Sequence, residues 1–262
     1  MSSIRDTTRR PLTARSVIAS TLLGVDPPRL PALALVRSGE LFGLREGATR
    51  TALSRMAANG EVVADDAHYS LAGDLLDRHA RQQSARARRP SSWDGTWVAA
   101  VVTADRRNAQ DRAAFRDAAR RLKLAEIREG LWMRPDNRGG ETPQSARSVV
   151  DAQATWLRGA RPDHPTDLVG SFAVDEWSGY ADGLIGELER WQPALDDRRT
   201  DVLGETFVIA ADVLRHLVAD PELPSELVAT DWPADRLRDR FERFDRAFKE
   251  TWRSWHRSFQ DS

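Results

Sequence analysis

The chain has 262 residues, of which 40% are hydrophobic and 30% are charged, and none is cysteine. These values are typical of a globular protein of two or three domains, and they exclude disulfides, thiolate metal sites and cysteine nucleophiles. The net charge is −1, yet residues 1–92 carry 14 arginines against 9 acidic residues. This bias suits an amino-terminal segment that binds a polyanion, although random scatter of charge would give the same imbalance.

A short apolar stretch follows Arg9 and Arg10, as it does in a twin-arginine export signal. Serines interrupt this stretch, and it ends at Asp26 without a small-residue cleavage site. No run approaches the roughly 18 apolar residues that a membrane span needs. We therefore expect a helix from about Thr13 to Leu23 in place of a signal, and a cytoplasmic protein with no membrane partner.

Residues 1–80 show three helix patterns followed by two short strands. The helix that begins near Thr13 precedes a second one after Pro31 and a third one that ends at Asn59-Gly60, a favourable left-handed stop. The stretches EVVA and HYSLA, on either side of DDA, predict two strands and a tight turn. Three helices followed by a hairpin are the order of a winged-helix domain.

A polar, basic segment at 81–92 predicts a linker, and residues 93–175 predict a small α+β domain. The run WVAAVV is apolar on both faces, as in a buried strand, and residues 108–122 predict a helix. The stretch AEIREGLWMRP predicts a second strand region, whereas SVVDAQ fits the start of either a strand or a helix.

Residues 176–262 predict a helical domain. Its strongest pattern is an apolar stripe spaced 4, 3, 4, 4, 3 and 4 residues apart, which consists of Leu237, Phe241, Phe244, Phe248, Trp252, Trp255 and Phe259. Such a stripe is typical of a helix packed in a core or at a dimer interface. The expected fold is therefore α+β and multidomain.

The stretch REGATRTALSRMAANG separates an apolar helix face from a polar one. Thr49, Leu53 and Met56 share the inward face, and the opposite face is small, polar and cationic. A DNA major groove accepts a helix with slim outer residues, and arginine, threonine and serine bond base edges or phosphates. An ordinary surface helix could carry the same residues, so its position before the hairpin is what favours a recognition helix.

Four motifs in order extend this argument: LFGLREGATRTALSRMAANGEV, WDGTWVAAVV, REGLWMRPDN and DPELPSELVATDWPADRLRDRFERF. With them, the sequence resembles over about residues 13–250 the PaaX family of bacterial transcriptional repressors, named for the regulator of phenylacetate degradation. The resemblance implies an amino-terminal winged helix, a central ferredoxin-like domain and a helical carboxy-terminal domain. It also implies a homodimer that represses a catabolic operon and is released from double-stranded DNA by an effector such as an aryl- or acyl-CoA thioester.

The resemblance places Arg50, Thr51 and Arg55 on the family's recognition helix. The expected DNA-binding residues are Arg45, Arg50, Thr51, Ser54, Arg55 and His68. Where the family has a basic wing, this chain has Asp65 and Asp66, and two carboxylates beside phosphates are repulsive. The wing is therefore expected to contribute little, although His68 could compensate if it is protonated and is not an ordinary turn residue.

Tryptophans and arginines of the central domain are the candidates for effector binding. Indoles stack on ligands, and arginines hold the phosphates of a CoA-like anion. The candidates are Trp93, Trp97, Arg106, Arg107, Trp132 and Arg134. The same side chains could instead pack between domains or lie in solvent.

Sequence motifs of enzymes are absent. The five histidines show no metal-binding spacing, and no nucleophile elbow, phosphate loop or dinucleotide fingerprint occurs. We therefore expect no catalytic residue, metal or cofactor. Two alternatives stay open: a sensor or interaction protein on the same fold that does not bind DNA, and a metal-dependent nuclease using Asp105 at the end of the first central strand.

Overall fold

The computed structural model describes residues 12–88, 92–138 and 143–258. The protein is an α+β fold with two small antiparallel sheets, which confirms the predicted fold class at this level. Its contacts divide the chain into two compact units. The first comprises Met1–Ala87, Gly183–Val218 and Arg236–Ser262, and the second comprises Arg88–Asp182 and Ala219–Asp235.

The first unit opens with the three predicted helices, α1 (Ala14–Leu23), α2 (Ala32–Glu40) and α3 (Glu46–Ala58). Thr13 caps α1, because its side chain accepts a hydrogen bond from the backbone N–H of Ser16 at 3.2 Å. After α3, Gly60 has a φ of +70°, a conformation that glycine adopts without steric cost. The predicted left-handed stop at the end of α3 is thus confirmed.

A three-stranded antiparallel sheet accompanies these helices. β2 (Val62–Asp65) and β3 (His68–Leu71) form the predicted hairpin, and β1 (Arg29–Pro31) pairs with the free edge of β3. Asp66 and Ala67 form the turn with φ values of 43° and 61°, as in the two-residue loops that match strand twist. The sequence does not predict β1, because three residues ending in proline show no alternation.

The helices and strands enclose an apolar core. Its members are at most 8% exposed and include Ile18, Leu22, Leu35, Leu53, Met56, Val62, Leu71 and Leu75. α2 and α3 approach closely within this core. A Cβ added to Gly39 would lie only 2.6 Å from Oγ1 of Thr49, which is too close for any residue but glycine. One face of α3 is therefore fixed against the core.

α4 (Gly73–Ala87) follows the hairpin and continues through residues 81–87, the first part of the segment predicted as a linker. The helix buries Leu75, His79, Gln82 and Ala85. The division into domains at 1–80, 93–175 and 176–262 stays a prediction.

The described part of the second unit contains a four-stranded antiparallel sheet with two α-helices between its strands, and the short 3-10 helices Pro165–Phe172 and Ser225–Leu227. Its elements are β4 (Trp97–Val102), α5 (Ala109–Arg121), β5 (Ala125–Arg128), β6 (Leu131–Pro135), α6 (Gln144–Asp151) and β7 (Ala154–Ala160). The strand order is β5-β6-β4-β7. α5 begins at a reciprocal capping box, in which the side chains of Asn108 and Asp111 each accept a backbone N–H of the other residue.

The structure corrects one strand prediction in this unit and decides between two alternatives for another stretch. The stretch AEIREGLWMRP forms two strands, β5 and β6, because Gly130 at a φ of +77° allows a turn between them. The stretch SVVDAQ ends a helix, α6, and leads into β7. The prediction that β4 is buried on both faces is confirmed: Ala100 packs on one side of the sheet and Trp97 with Ala99 on the other.

The rest of the chain is helical, as predicted, with α7 (Val174–Asp196), α8 (Leu203–Ala219) and α9 (Ala234–Arg257). Three residues at the start of the α9 stripe are completely buried, namely Leu237, Phe241 and Phe244. Three further along are half-buried, namely Phe248, Trp252 and Trp255; Phe259 lies outside the described residues. Within the described ranges, no helix is both long and apolar enough to cross a membrane.

Candidate nucleic-acid interface

α3 has two chemically different faces. Thr49, Leu53 and Met56 are at most 1% exposed and face the core, which confirms their predicted placement. Five predicted DNA-binding residues are exposed at the start of the helix or along it, namely Arg45, Arg50, Thr51, Ser54 and Arg55. Folding therefore leaves the polar face of α3 accessible.

The short polar side chains of α3 bond to their own helix. The hydroxyl of Thr51 donates to the carbonyl oxygen of Gly47 at 2.8 Å, and the hydroxyl of Ser54 donates to that of Arg50 at 3.2 Å. These bonds hold the side chains close to the helix axis. The two short side chains therefore add little width to the exposed face.

The three arginines of this region differ in their ion pairs. Nε of Arg50 lies 2.7 Å from Oε1 of Glu46, an i,i+4 ion pair on the exposed side of the helix. Arg45 and Arg55 form no ion pair with any described residue. Their charges are therefore the ones most available to a polyanion.

The hairpin tip carries less uncompensated acid than the sequence suggests. Asp65 forms an ion pair with Arg29 of β1, with 3.0 Å between Nη2 and Oδ2, and both side chains are exposed. Asp66 has no cation within 4.0 Å among the described residues. His68 is half-buried, and its Nδ1 donates to the carbonyl oxygen of Asp66 at 3.0 Å. At the hairpin tip, only the carboxylate of Asp66 therefore lacks a neighbouring cation among the described residues.

The tryptophans proposed for effector binding lie on two sides of one sheet. Trp93 and Trp97 pack edge to face with ring centroids 6.1 Å apart, and Nε1 of Trp97 has no hydrogen-bond partner among the described residues. Trp132 lies in the other core, edge to face with Phe115 at 5.7 Å. The structure therefore does not bring the three indoles together around one site.

The three arginines proposed for the same role also differ. Arg106 is exposed, and the guanidinium of Arg107 lies 5.5 Å from the ring centroid of Phe115. Arg134 is 8% exposed, and its Nη1 donates to the carbonyl oxygen of Pro135 at 2.9 Å. Burial, assisted by the charge of Arg138, lowers the pKa of Arg134 to about 10. No carboxylate of the described chain lies within 4.0 Å of the Arg134 guanidinium.

A buried charge cluster that no sequence pattern indicates surrounds Glu222 in the second unit. Its carboxylate lies 2.6 Å from Nη1 of Arg88, 3.4 Å from Nζ of Lys123 and 3.0 Å from Nε of Arg138. Asn137 donates its side-chain N–H to the backbone carbonyl of Glu222 at 2.8 Å. Burial alone would raise the pKa of Glu222, but the three cations outweigh it and hold the pKa below its ordinary value.

Metal chemistry has no evident centre in the described parts of the chain. No group of three or more histidine, aspartate or glutamate side chains there could hold a metal ion. Asp105, the residue of the nuclease alternative, is exposed in the loop after β4. The exposed face of α3 therefore remains the candidate functional surface.

Comparison with known proteins agrees with the resemblance. The model of the PaaX-like protein family matches residues 13–75, from the start of α1 into α4. Among solved structures, the uncharacterized protein Rv0674 from Mycobacterium tuberculosis is similar, with 35% sequence identity and a TM-score of 0.72. The similarity covers 93% of this chain and 98% of that one. No curated protein matches. From the family match and the extent of this similarity, the chain belongs to the PaaX-like family.

Proposed function

We propose that the protein is a DNA-binding transcription regulator, a dimeric repressor of a catabolic operon that a small-molecule effector releases from its operator. Family membership suggests the regulation of phenylacetate catabolism. The observation that carries the proposal is the exposed face of α3, with Arg45 and Arg55 unpaired among the described residues, next to a hairpin.

The order of elements supports a winged-helix domain at the amino terminus. α1, α2 and α3 precede the β2–β3 hairpin, and β1 completes a small sheet. In such domains the helix before the hairpin enters the major groove. The order β-α-β-β-α-β of the second unit, with strands arranged β5-β6-β4-β7, supports a ferredoxin-like central domain.

The chemistry of the α3 face suits base reading and phosphate contact together. Arginine bonds guanine through two parallel hydrogen bonds, and threonine or serine reaches either bases or phosphates. Arg50 shares its charge with Glu46, so Arg45 and Arg55 would supply most of the attraction. We assign direct base reading to Arg55, which lies on the polar face beyond the first turn.

Dimerisation and release complete the proposed mechanism. A homodimer would place two α3 helices in successive major grooves of an inverted repeat. An aryl- or acyl-CoA thioester would then favour a dimer geometry in which the two helices no longer match the half-site spacing. Arg134, buried and without a carboxylate partner in the described chain, is the residue we propose for the anionic part of this effector.

Fluorescence anisotropy on the DNA upstream of the protein's own gene tests the proposal. We expect saturable binding that weakens steeply as salt rises, because each phosphate contact displaces counterions. Adding aryl- and acyl-CoA esters one at a time should reverse the binding for at least one of them. Absence of salt-dependent binding would instead support the alternative of a sensor or interaction protein that does not bind DNA.

Replacing Arg55 by alanine is expected to weaken operator binding by about 1–3 kcal/mol if the side chain reads a base. The truncation removes a cation that makes no ion pair in the described chain, so folding should be unaffected. The measurement is an anisotropy titration beside Arg116→Ala, which removes an exposed arginine of α5. Equal affinities for the two variants would remove Arg55 from base reading.

Replacing Asp66 by asparagine is expected to tighten DNA binding by about two- to fivefold, since removal of one exposed charge near a phosphate is worth up to ~1 kcal/mol. Asparagine tolerates the left-handed conformation that Asp66 adopts, so the turn should survive. Asp65→Asn is the matched comparison, because it also frees Arg29. An Asp66→Asn affinity that stays at the wild-type value would place the hairpin tip away from the phosphates.

A further inference from the structure

A cavity of about 70 Å³ lies within the first unit, lined by residues of α1, α4, α8 and α9. This is more than the ~30 Å³ that one water occupies and about half of an engineered ~150 Å³ cavity that binds benzene. The cavity is partly open, so a ligand could extend beyond it. The enclosed part is smaller than a whole ring needs, so a single-ring ligand would lie partly in the cavity and partly in its open mouth.

Aromatic side chains form one wall of the cavity. The rings of Phe207 and Trp252 are nearly parallel, with an angle of 21° and centroids 6.2 Å apart. Phe248 also lines the cavity, and its centroid lies 5.6 Å from that of Trp252. This wall offers a flat apolar surface to a ligand.

A buried acceptor faces the same space. The side chain of Gln82 on α4 lines the cavity and is 4% exposed, and its Oε1 has no hydrogen-bond partner among the described residues. A buried amide oxygen without a hydrogen-bond partner is rare in folded proteins, because no hydrogen bond offsets the free-energy cost of removing it from water. A ligand that donates a hydrogen bond would satisfy this atom.

A cation of α4, Arg78, lies one helical turn before Gln82. Arg78 lines the cavity and has no carboxylate within 4.0 Å in the described chain. The charges that act on it most are those of Arg215, Arg81 and Arg15, all of the same sign. Residues four apart on a helix have neighbouring side chains, so the cation and the acceptor of Gln82 address adjacent parts of one ligand.

We propose that this cavity binds a small hydroxy-substituted carboxylic acid. The apolar body lies on Phe207 and Trp252, the hydroxyl donates to Oε1 of Gln82, and the carboxylate pairs with Arg78. Binding would connect α1 and α4 with α8 and α9 through one ligand. The site does not depend on whether the protein binds DNA, and it is separate from Arg134.

Calorimetric titration of the full chain with 4-hydroxybenzoate, benzoate and phenol tests the site. 4-Hydroxybenzoate is expected to bind at least about tenfold more tightly than benzoate, which lacks the donor, or phenol, which lacks the acid. Gln82→Leu should abolish the preference over benzoate, and Arg78→Gln should weaken both acids while leaving phenol unchanged. Arg81→Gln, a neighbour on α4 that does not line the cavity, should retain the wild-type order.

Circular dichroism identifies variants that remain folded, and only those are compared. If none of the three compounds gives a heat of binding with the folded wild-type protein, the proposal is overturned and the cavity holds only water. An unchanged preference for 4-hydroxybenzoate in Gln82→Leu would overturn it as well. The operator measurement is independent, so failure here leaves the proposed regulator function standing.

Discussion

Replacing Glu222 by glutamine is expected to lower the free energy of unfolding by about 3–5 kcal/mol, the usual cost of removing one partner from a buried ion pair. Glutamine keeps the size and one acceptor oxygen, so the loss isolates the charge. It leaves Arg88, Lys123 and Arg138, which are all within 3.4 Å of the carboxylate, without their shared counter-charge. The side chain is only 7% exposed, so water cannot replace it fully.

Urea unfolding followed by tryptophan fluorescence measures this loss. Glu226→Gln is the matched control, because Glu226 lies in the same segment with its side chain exposed, and surface changes of this kind stay within about 0.5 kcal/mol. A loss for Glu222→Gln no larger than that of the control would mean that the three cations are stabilised without the carboxylate.

The same cluster predicts a pH dependence. The folded pKa of Glu222 is depressed below its ordinary value of 4.5, so its contribution is complete above that pH and is lost as the pH falls towards the folded pKa. We expect the stability difference between wild type and Glu222→Gln to shrink below about pH 4. A difference that is constant from pH 7 to pH 3 would contradict the assigned charge.

The helices and the hairpin of the amino-terminal segment were predictable because their signals are local. Thr13 caps α1 from the position just before its first turn, and Gly60 ends α3 in the left-handed conformation. β1 was not predictable in the same way. Its three residues acquire strand structure only by pairing with β3, more than 30 residues along the chain, and such pairing leaves no periodic pattern in so short a segment.

The ion-pair partners of the acidic residues could not be predicted from the sequence for the same reason. The acidic tip was visible at Asp65 and Asp66, but the partner of Asp65 is Arg29, 36 residues earlier on the unpredicted β1. Arg88 and Glu222 are 134 residues apart. The DPELP motif therefore identifies the glutamate in the sequence but gives no indication of which cations surround it. Hydropathy patterns report burial, whereas ion pairs depend on which distant elements meet.

The tryptophans illustrate a limit of strand periodicity. Alternation places Trp97 and Trp132 on definite faces of their own strands, but it does not relate one strand to the next. The β4–β6 register sets Ala100 opposite Trp132, which puts that indole on the face away from Trp97. A shared aromatic site was therefore a reasonable hypothesis from sequence, and the register separates its members.

Replacing Leu53 by alanine is expected to lower the free energy of unfolding by about 2–5 kcal/mol, the range for a large-to-small change in a core. Leu53 is 1% exposed, in the core that includes Ile18 and Met56. Because Leu53 lies on the inward face of α3, the proposed function predicts that the folded variant binds DNA as the wild type does. Thermal unfolding and anisotropy, the latter at a temperature where the variant is folded, measure the two properties separately.

Leu53→Ala and Arg55→Ala together separate the two faces of α3. Leu53→Ala should lower the free energy of unfolding and leave DNA affinity unchanged. Arg55→Ala should weaken DNA binding and leave the free energy of unfolding unchanged, although the two residues are only two positions apart. If Leu53→Ala weakens DNA binding as much as Arg55→Ala at equal folded fraction, then affinity depends on how the core holds α3 as well as on contacts by its outer face. In that case the two faces of α3 would not act independently.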